Sequence, residues 1–147
     1  MYASELNFEK FAQEASEYAN ELADKLDHPN EKQRAMIAWK AVMHTVRDRI
    51  EIAESFHLIS QLPLILKGVY TEGWKYSDKP LLDYKTIDEM NREVKILQER
   101  YGERDFDWNM PTEEITSRVL DSLVKYVDSG QLTHVRDQMP KELQELV

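Results

Sequence analysis

The sequence lacks cysteine altogether and has only four glycines and five prolines among its 147 residues. The absence of cysteine excludes disulfide frameworks, thiolate nucleophiles, zinc fingers and iron–sulfur clusters. So little glycine and proline favours long helices with few connections. The longest apolar run, residues 62–66, includes Pro63 and is far shorter than the roughly 18 residues that a membrane helix needs. Residues 1–11 have no apolar core, so we expect no secretory signal.

Positive charge is also in short supply. The sequence has 28 acidic residues against 19 basic ones, and its net charge at pH 7 is −9. A phosphate backbone or an anionic membrane surface would be repelled on average, so we expect neither a nucleic-acid nor a membrane partner. With 41% hydrophobic and 32% charged residues, the composition is that of a folded protein. An acidic chain without cysteine suits the cytoplasm, which is the location we expect.

The apolar residues recur at helical spacing through the first half of the chain. A stripe with spacings of three and four over residues 8–26 predicts the first helix, with Asn7 as its N-cap. A second helix is expected after Asn30, and a shorter one over about residues 53–60. Pro63 suits the first turn of another short helix, which we expect to run through residue 69.

The second half gives the same kind of pattern after a connector, residues 70–85. Thr86 and Glu89 are spaced as a capping box for the next helix. Another helix is expected to begin near Thr112, with Gly130 as its left-handed C-terminal cap. Four apolar residues would line the inner face of that helix: Ile115, Val119, Leu123 and Val127. No segment has the pattern of a strand, so the predicted fold class is all-α, a helical bundle without a sheet.

A tripeptide signature occurs twice. Gln61-Leu62-Pro63 and Gln138-Met139-Pro140 lie 77 residues apart, and with that offset several apolar positions and His57 and His134 coincide. We therefore expect one domain, residues 1–147, that consists of two related halves, an internal pseudo-repeat. The halves span about residues 5–70 and 86–147, and the connector 70–85 joins them. Two copies of such a unit usually bury their apolar faces against each other.

The signature residues have expected structural roles. Pro63 and Pro140 would start a helix after a sharp bend, where Gln61 and Gln138 would hydrogen-bond the exposed backbone. Leu62 and Met139 would fill the core. Gly68 would permit the helix to end, and Gly73 would turn the chain so that the Trp74 indole can dock.

Residues 58–74, LISQLPLILKGVYTEGW, resemble the core motif of the DUF2267 family of bacterial proteins. The family pattern is A-Q-L-P-x-x-x-R-G-x-Y-x-E-G-W, and here Ser60 and Lys67 replace the small residue and the arginine. The resemblance extends over about residues 8–147, with the second, weaker Leu-Pro-like signature near the end. It implies an all-helical fold and a bacterial cytoplasmic protein, and it supplies no reaction.

The pair Glu54 and His57 is the best candidate for chemistry. A Glu-x-x-His pair on a helix puts both side chains on one face, as in di-iron bundles. A full site needs two such pairs, and the corresponding position 131 is a glutamine, so the constellation is incomplete. A partly buried histidine beside a surface acid is the simpler interpretation. His44 and Asp48, one turn apart, are most simply interpreted as part of a solvated helix face.

The aromatic side chains of the connector are the other candidate. Tyr70, Trp74, Tyr76 and Trp108 could line an apolar ligand pocket between the halves, although core packing explains them as well. The sequence has neither a Gly-x-Ser-x-Gly elbow nor a phosphate-binding glycine loop.

From these patterns we expect a non-enzymatic helical module that acts through protein contacts, including self-association as a homodimer. We expect no cofactor and no catalytic residue. The alternative is a bundle that binds a small ligand or a metal, the latter at Glu54 and His57. The remaining alternative is an enzyme of unknown type.

Overall fold

A computed structural model of the chain describes residues 6–103, 107–139 and 141, and these residues form α-helices and no strand. The predicted all-helical fold class is therefore confirmed for this part of the chain. The helices are α1 Phe8–Lys25, α2 Lys32–Arg47, α3 Ile52–Ser60, α4 Leu64–Thr71, α5 Ile87–Arg100, α6 Thr112–Asp121 and α7 Ser129–Asp137. Pro140 and the expected last segment, residues 140–147, lie outside the described residues apart from position 141.

Helix α2 is the centre of the bundle. Its residues 41–47 are all buried, and it packs against α1, α4, α5 and α6. A helix that is apolar on most of its faces has to be surrounded in this way. Trp39 anchors a buried hydrogen-bond chain, because its Nε1 donates to the Tyr18 hydroxyl at 2.9 Å. That hydroxyl in turn donates to Ser122 Oγ at 2.6 Å, which ties α1, α2 and the end of α6 together.

The predicted helix starts are confirmed at two positions. Asn7 Oδ1 accepts a hydrogen bond from the Lys10 backbone N–H at 3.0 Å, and Thr86 Oγ1 accepts from Glu89 N–H at 3.1 Å. Such caps satisfy backbone donors that have no partner within the helix. Helix α2 begins at Lys32, after Asn30 as expected, and no side chain makes a capping bond at its N-cap, residue 31.

Two predicted helix ends are wrong. Gly68 does not end α4, which continues through it to Thr71. Gly130 does not cap α6, because α6 ends at Asp121 and Gly130 lies in the first turn of α7. The reason is Asp128, whose Oδ1 accepts from the Gln131 backbone N–H at 2.9 Å and so starts a new helix. The four inner-face residues are buried as expected, although two of them follow the end of α6: Ile115, Val119, Leu123 and Val127.

None of the helices within these ranges combines the length and the apolar character that crossing a lipid bilayer requires.

Candidate functional site

One face of α2 contacts residues 69–74, which end the segment that resembles the family motif. Arg47 Nη1 donates to the carbonyl oxygens of Tyr70 at 2.8 Å and Glu72 at 3.0 Å, and His44 Nε2 donates to the Val69 carbonyl at 2.7 Å. Lys40 forms an ion pair with the Glu72 carboxylate. The last carbonyl groups of a helix have no backbone N–H donor within the helix, and they form its negative end. Hydrogen-bond donors and cations are therefore stabilising there. The face of α2 therefore caps the C-terminal end of α4.

Arg47 makes more hydrogen bonds than His44 or Lys40. The residue is only 6% exposed, and its Nε donates to Asp48 Oδ1 at 2.9 Å. Its guanidinium carbon lies 5.7 Å from the Trp74 ring centroid. A buried charge is tolerated only when paired and hydrogen-bonded, and here a carboxylate, two carbonyls and an aromatic face supply that. The Gly73 backbone, at φ 69°, makes the turn that brings the indole back to this arginine.

His44 does not lie on a solvated face as the sequence suggested, because it is 1% exposed. Its Nε2 faces a carbonyl, which only accepts, so Nε2 carries the proton and Nδ1 accepts from the Tyr101 hydroxyl at 2.6 Å. Burial lowers the pKa of His44 to about 4, and the nearby Arg47 and Lys40 act in the same direction. The imidazole is therefore neutral at neutral pH, with both nitrogens already used.

The two signature glutamines make matching contacts between α3 and α7. Gln61 Oε1 accepts from the Asp128 backbone N–H at 2.7 Å, and Gln138 Oε1 accepts from the Glu51 backbone N–H at 2.7 Å. Asp128 and Glu51 are the N-cap residues of α7 and α3. Each glutamine follows one short helix, and its Oε1 binds the start of the other helix. Gln61 also lies at its own bend as expected, because its Nε2 donates to the His57 carbonyl at 3.5 Å. The intervening residues Leu62 and Met139 are buried in the core.

Glu54 makes a further contact between α3 and α7. Its Oε2 accepts from Gln131 Nε2 at 2.7 Å, and Gln131 is buried. His57 and His134 are both exposed. Across the part of the chain that the structure describes, no three or more histidine and acidic side chains are grouped closely enough to hold a metal ion. The carboxylate of the Glu-x-x-His pair is thus bonded to an amide of the other short helix.

The four aromatic residues of the ligand-pocket hypothesis do not share one pocket. Tyr70 is buried, bonds Ser55 through its hydroxyl at 2.7 Å, and meets the Trp74 ring edge-on at 6.0 Å. Trp108 stacks on a different ring, and Tyr76 is exposed. The crevice lined by Arg47 and Trp74 has a volume of about 20 Å³, room for about one water molecule.

Trp108 belongs to a polar cluster at the other end of α2. Its ring stacks on His28 with centroids 4.5 Å apart, and its Nε1 donates to Glu31 at 3.1 Å. Arg34 binds Glu31 at 2.7 Å and Glu103 at 2.9 Å, and the first of these contacts lowers the pKa of the Glu31 carboxyl. Arg34 and Arg47 are separated by about 20 Å along the helix axis, since a helix rises about 1.5 Å per residue. This cluster therefore holds the loop that follows α5, and it is separate from residues 69–74.

Sequence reasoning missed Arg47 and Arg34 as organising residues. A usable signal was present: Lys40, His44 and Arg47 recur at spacings of four and three on a helix that is otherwise largely apolar. Such a polar stripe on a buried helix has to meet partners. Here they are the carbonyls at the end of α4 for His44 and Arg47, and the Glu72 carboxylate for Lys40.

Among the described residues, at least two partly apolar surfaces lack a covering element. The first is the outer face of α4, where Leu64 is 47% and Ile65 42% exposed and where no atom lies within 4 Å of a Cβ built on Gly68. The second is an open groove of about 240 Å³ beside α7, which we call the α7 groove. Its lining includes Leu120, Asp121, Val124, Leu132, Thr133 and Arg136.

The comparison with known proteins agrees with the motif. No curated protein matches the chain. A family model described as "Uncharacterized conserved protein (DUF2267)" matches residues 15–146, which include both glutamines, Arg47 and the whole segment from α3 to Trp74. That match covers nearly all of the 147 residues, and the chain therefore belongs to the DUF2267 family.

Proposed function

We propose that this protein is a non-enzymatic helical module of the bacterial cytoplasm that acts through protein contacts, including self-association as a homodimer. The observation that carries the proposal is the outer face of α4. Leu64 and Ile65 are large apolar residues exposed side by side, and Gly68 follows one turn later. Exposed apolar patches on folded proteins commonly mark interaction surfaces. The bare backbone at Gly68 would allow a partner helix to approach closely.

The state of the ionisable side chains supports the non-enzymatic part of the proposal. General acid–base catalysis needs a group that can reach a substrate and exchange a proton near working pH. His44 has both nitrogens bonded, Arg47 has carbonyl and carboxylate partners, and Glu54 accepts from Gln131. Each is committed to holding the fold together.

We also propose that the chain is one domain built from two related halves. The support is the spacing of the contacts between α3 and α7. Gln61 and Gln138 lie 77 residues apart, and so do the residues that they bond, Glu51 and Asp128. Glu54, which accepts from position 131, has the same offset to its partner. Exchange of the two short helices would convert each glutamine contact into the other, as a pseudo-two-fold axis requires.

Analytical ultracentrifugation of the full chain over a range of concentrations tests the proposed self-association. We expect dimers, and we expect the double variant Leu64→Glu/Ile65→Glu to be monomeric because two carboxylates would have to be desolvated in the interface. Ile96→Glu, an exposed apolar residue on α5, is the matched control and should still dimerise. Equal thermal unfolding of all three proteins would show that the fold is intact. A wild type that stays monomeric and retains no partner protein removes the support for the proposal.

A further inference from the structure

The crevice lined by Arg47 and Trp74, which we call the Arg47 crevice, contains hydrogen-bond donors that the fold does not use. Arg47 donates through Nε to Asp48 and through Nη1 to the carbonyls of Tyr70 and Glu72. Its Nη2 makes no hydrogen bond to a described residue, and neither does the Trp74 indole Nε1. Because Arg47 is only 6% exposed and lines the crevice, its unused donors are reached through that opening.

Helix α3 begins at the same crevice. Its first residue, Ile52, belongs to the lining, and the N-cap residue Glu51 makes no side-chain capping bond. The first N–H groups of a helix lack acceptors within the helix and form its positive end, which favours an anion. Many helices start at a surface, but here the unused donors of a buried guanidinium line the same small space. Both features favour a negatively charged ligand.

Two lysines add positive charge around the opening. Lys75 and Lys79 belong to the lining, both are exposed, and neither makes an ion pair or a side-chain hydrogen bond with the part of the chain that the structure describes. A guanidinium and ammonium groups together bind carboxylates well. The crevice volume of about 20 Å³ admits about one water-sized atom, so a carboxylate could place one oxygen inside.

Three acids of the lining oppose this charge. Asp48 accepts from the buried guanidinium, and Asp78 accepts from a tyrosine hydroxyl. Glu51 is exposed, and its carboxylate has no partner among the described residues. Glu51 is therefore the acid that would compete with a bound anion.

We propose that the Arg47 crevice binds one carboxylate group. The oxygen inside the crevice would accept hydrogen bonds from Arg47 Nη2 and Trp74 Nε1, and the other oxygen would remain outside, near Lys75 and Lys79. The carboxylate comes either from an acidic side chain of a partner protein or from a small organic acid. The site is separate from the apolar face of α4, so it goes beyond the proposed self-association.

NMR titration of the full chain, in which sodium acetate replaces sodium chloride at constant ionic strength, tests this inference. We expect a saturable shift of the Trp74 indole N–H resonance, which Trp74→Phe assigns. The indole of Trp39 serves as the internal reference and should not respond, because it is buried and donates to Tyr18. A Trp74 resonance that does not shift, or that shifts without saturation, overturns the inference.

Charge variants test which residues form the site. The double variant Lys75→Gln/Lys79→Gln should weaken acetate binding about threefold to tenfold, and Glu51→Gln should strengthen it about threefold. Lys67→Gln/Lys85→Gln is the matched control, because it removes the same net charge at positions outside the lining, and it should bind like the wild type. Equal losses in the two double variants would reduce the effect to net charge and overturn the assigned site.

A second probe, aspartate blocked as its N-acetyl amide, distinguishes the two sources of the carboxylate. Binding at least as tight as that of acetate supports an acidic side chain of a partner protein, whereas binding of acetate alone supports a small organic acid. The result is independent of the proposed self-association, because the opening does not include Leu64 or Ile65. A protein that stays monomeric and binds acetate would retain this site and lose the proposed dimer.

Discussion

Helices α3 and α7 begin and end alike, yet they are covered differently. Each starts next to a backbone N–H that a distant glutamine binds, and each ends at the glutamine that returns the contact. Tyr70 and Trp74 pack on α3 and on the neighbouring end of α2. Arg47 donates to the Tyr70 carbonyl and lies beside the Trp74 ring. Beside α7, none of the described residues covers the mostly apolar α7 groove. The donors His44 and Arg47 lie on the face of α2 that holds the end of α4. The aliphatic side chains of Val124 and Leu132 line the α7 groove.

Arg47 and Val124 lie 77 residues apart, at positions that the proposed repeat relates, and their replacement should have the most unequal effects. Arg47→Ala leaves the carbonyls of Tyr70 and Glu72 and the Asp48 carboxylate without their partner, which should lower the free energy of unfolding by about 3–5 kcal/mol. Val124→Ala removes an exposed side chain and should change it by less than about 0.5 kcal/mol. Urea unfolding of the two variants measures both values. A loss below about 1 kcal/mol for Arg47→Ala would mean that the hydrogen bonds of Arg47 contribute little to stability.

The residue 77 positions after His44 is an acid, Asp121, so of these two positions only that of His44 should respond to protonation of a buried imidazole. The pKa of His44 is lowered by burial from 6.5 to about 4 in the folded protein, so between these values the unfolded chain binds the extra proton. Its contribution is fully present above pH 6.5 and is lost progressively as the pH falls to about 4. The loss is at most about 3.5 kcal/mol, since one pKa unit corresponds to about 1.4 kcal/mol.

Urea unfolding at pH 7 and pH 4.5 measures this contribution, with His44→Gln as the comparison. Glutamine keeps one donor and one acceptor but does not titrate in this range. The variant should therefore lose less stability than the wild type over the same interval, while the carboxylates act equally on both. Identical pH dependences would contradict a buried neutral imidazole.

The two glutamine contacts should contribute almost equally to the free energy of unfolding. Gln61→Ala and Gln138→Ala each remove an acceptor from the first backbone N–H of a short helix, and each should cost about 1 kcal/mol of unfolding free energy. Gln33→Ala, on an exposed position near the start of α2, should cost less than about 0.5 kcal/mol. Chemical denaturation of the three variants gives the values. A cost confined to one of the two glutamines would break the proposed equivalence of the halves.

The helices themselves were predictable because their causes are local. The stripe over α1 and the caps Asn7 and Thr86 depend on residues within one or two turns of each other, and the structure confirms both caps. The first turn of that stripe is an exception, because Phe8 is exposed. A periodic pattern says which side of a helix is apolar, but not how far along the helix the neighbouring elements reach.

What could not be predicted depends on contacts between distant segments. Gly130 was expected to end a helix because glycine often does, but the nearby Asp128 caps a new helix instead. His44 was expected in solvent because its partners, the Val69 carbonyl and Tyr101, are 25 and 57 residues away along the chain. The glutamines were marked as important by their repetition alone. That they cap each other's helices required the packing of α3 on α7.

The reciprocal caps have a consequence for how the chain folds. The contact from Gln61 closes a loop of 67 residues and the contact from Gln138 one of 87 residues. Closing loops of that length is entropically costly and makes such contacts late events in folding. Because the start of each short helix is completed by the end of the other, both caps form only when α3 packs on α7. Nascent chains would hold α3 with an open end until residues 128–138 have left the ribosome.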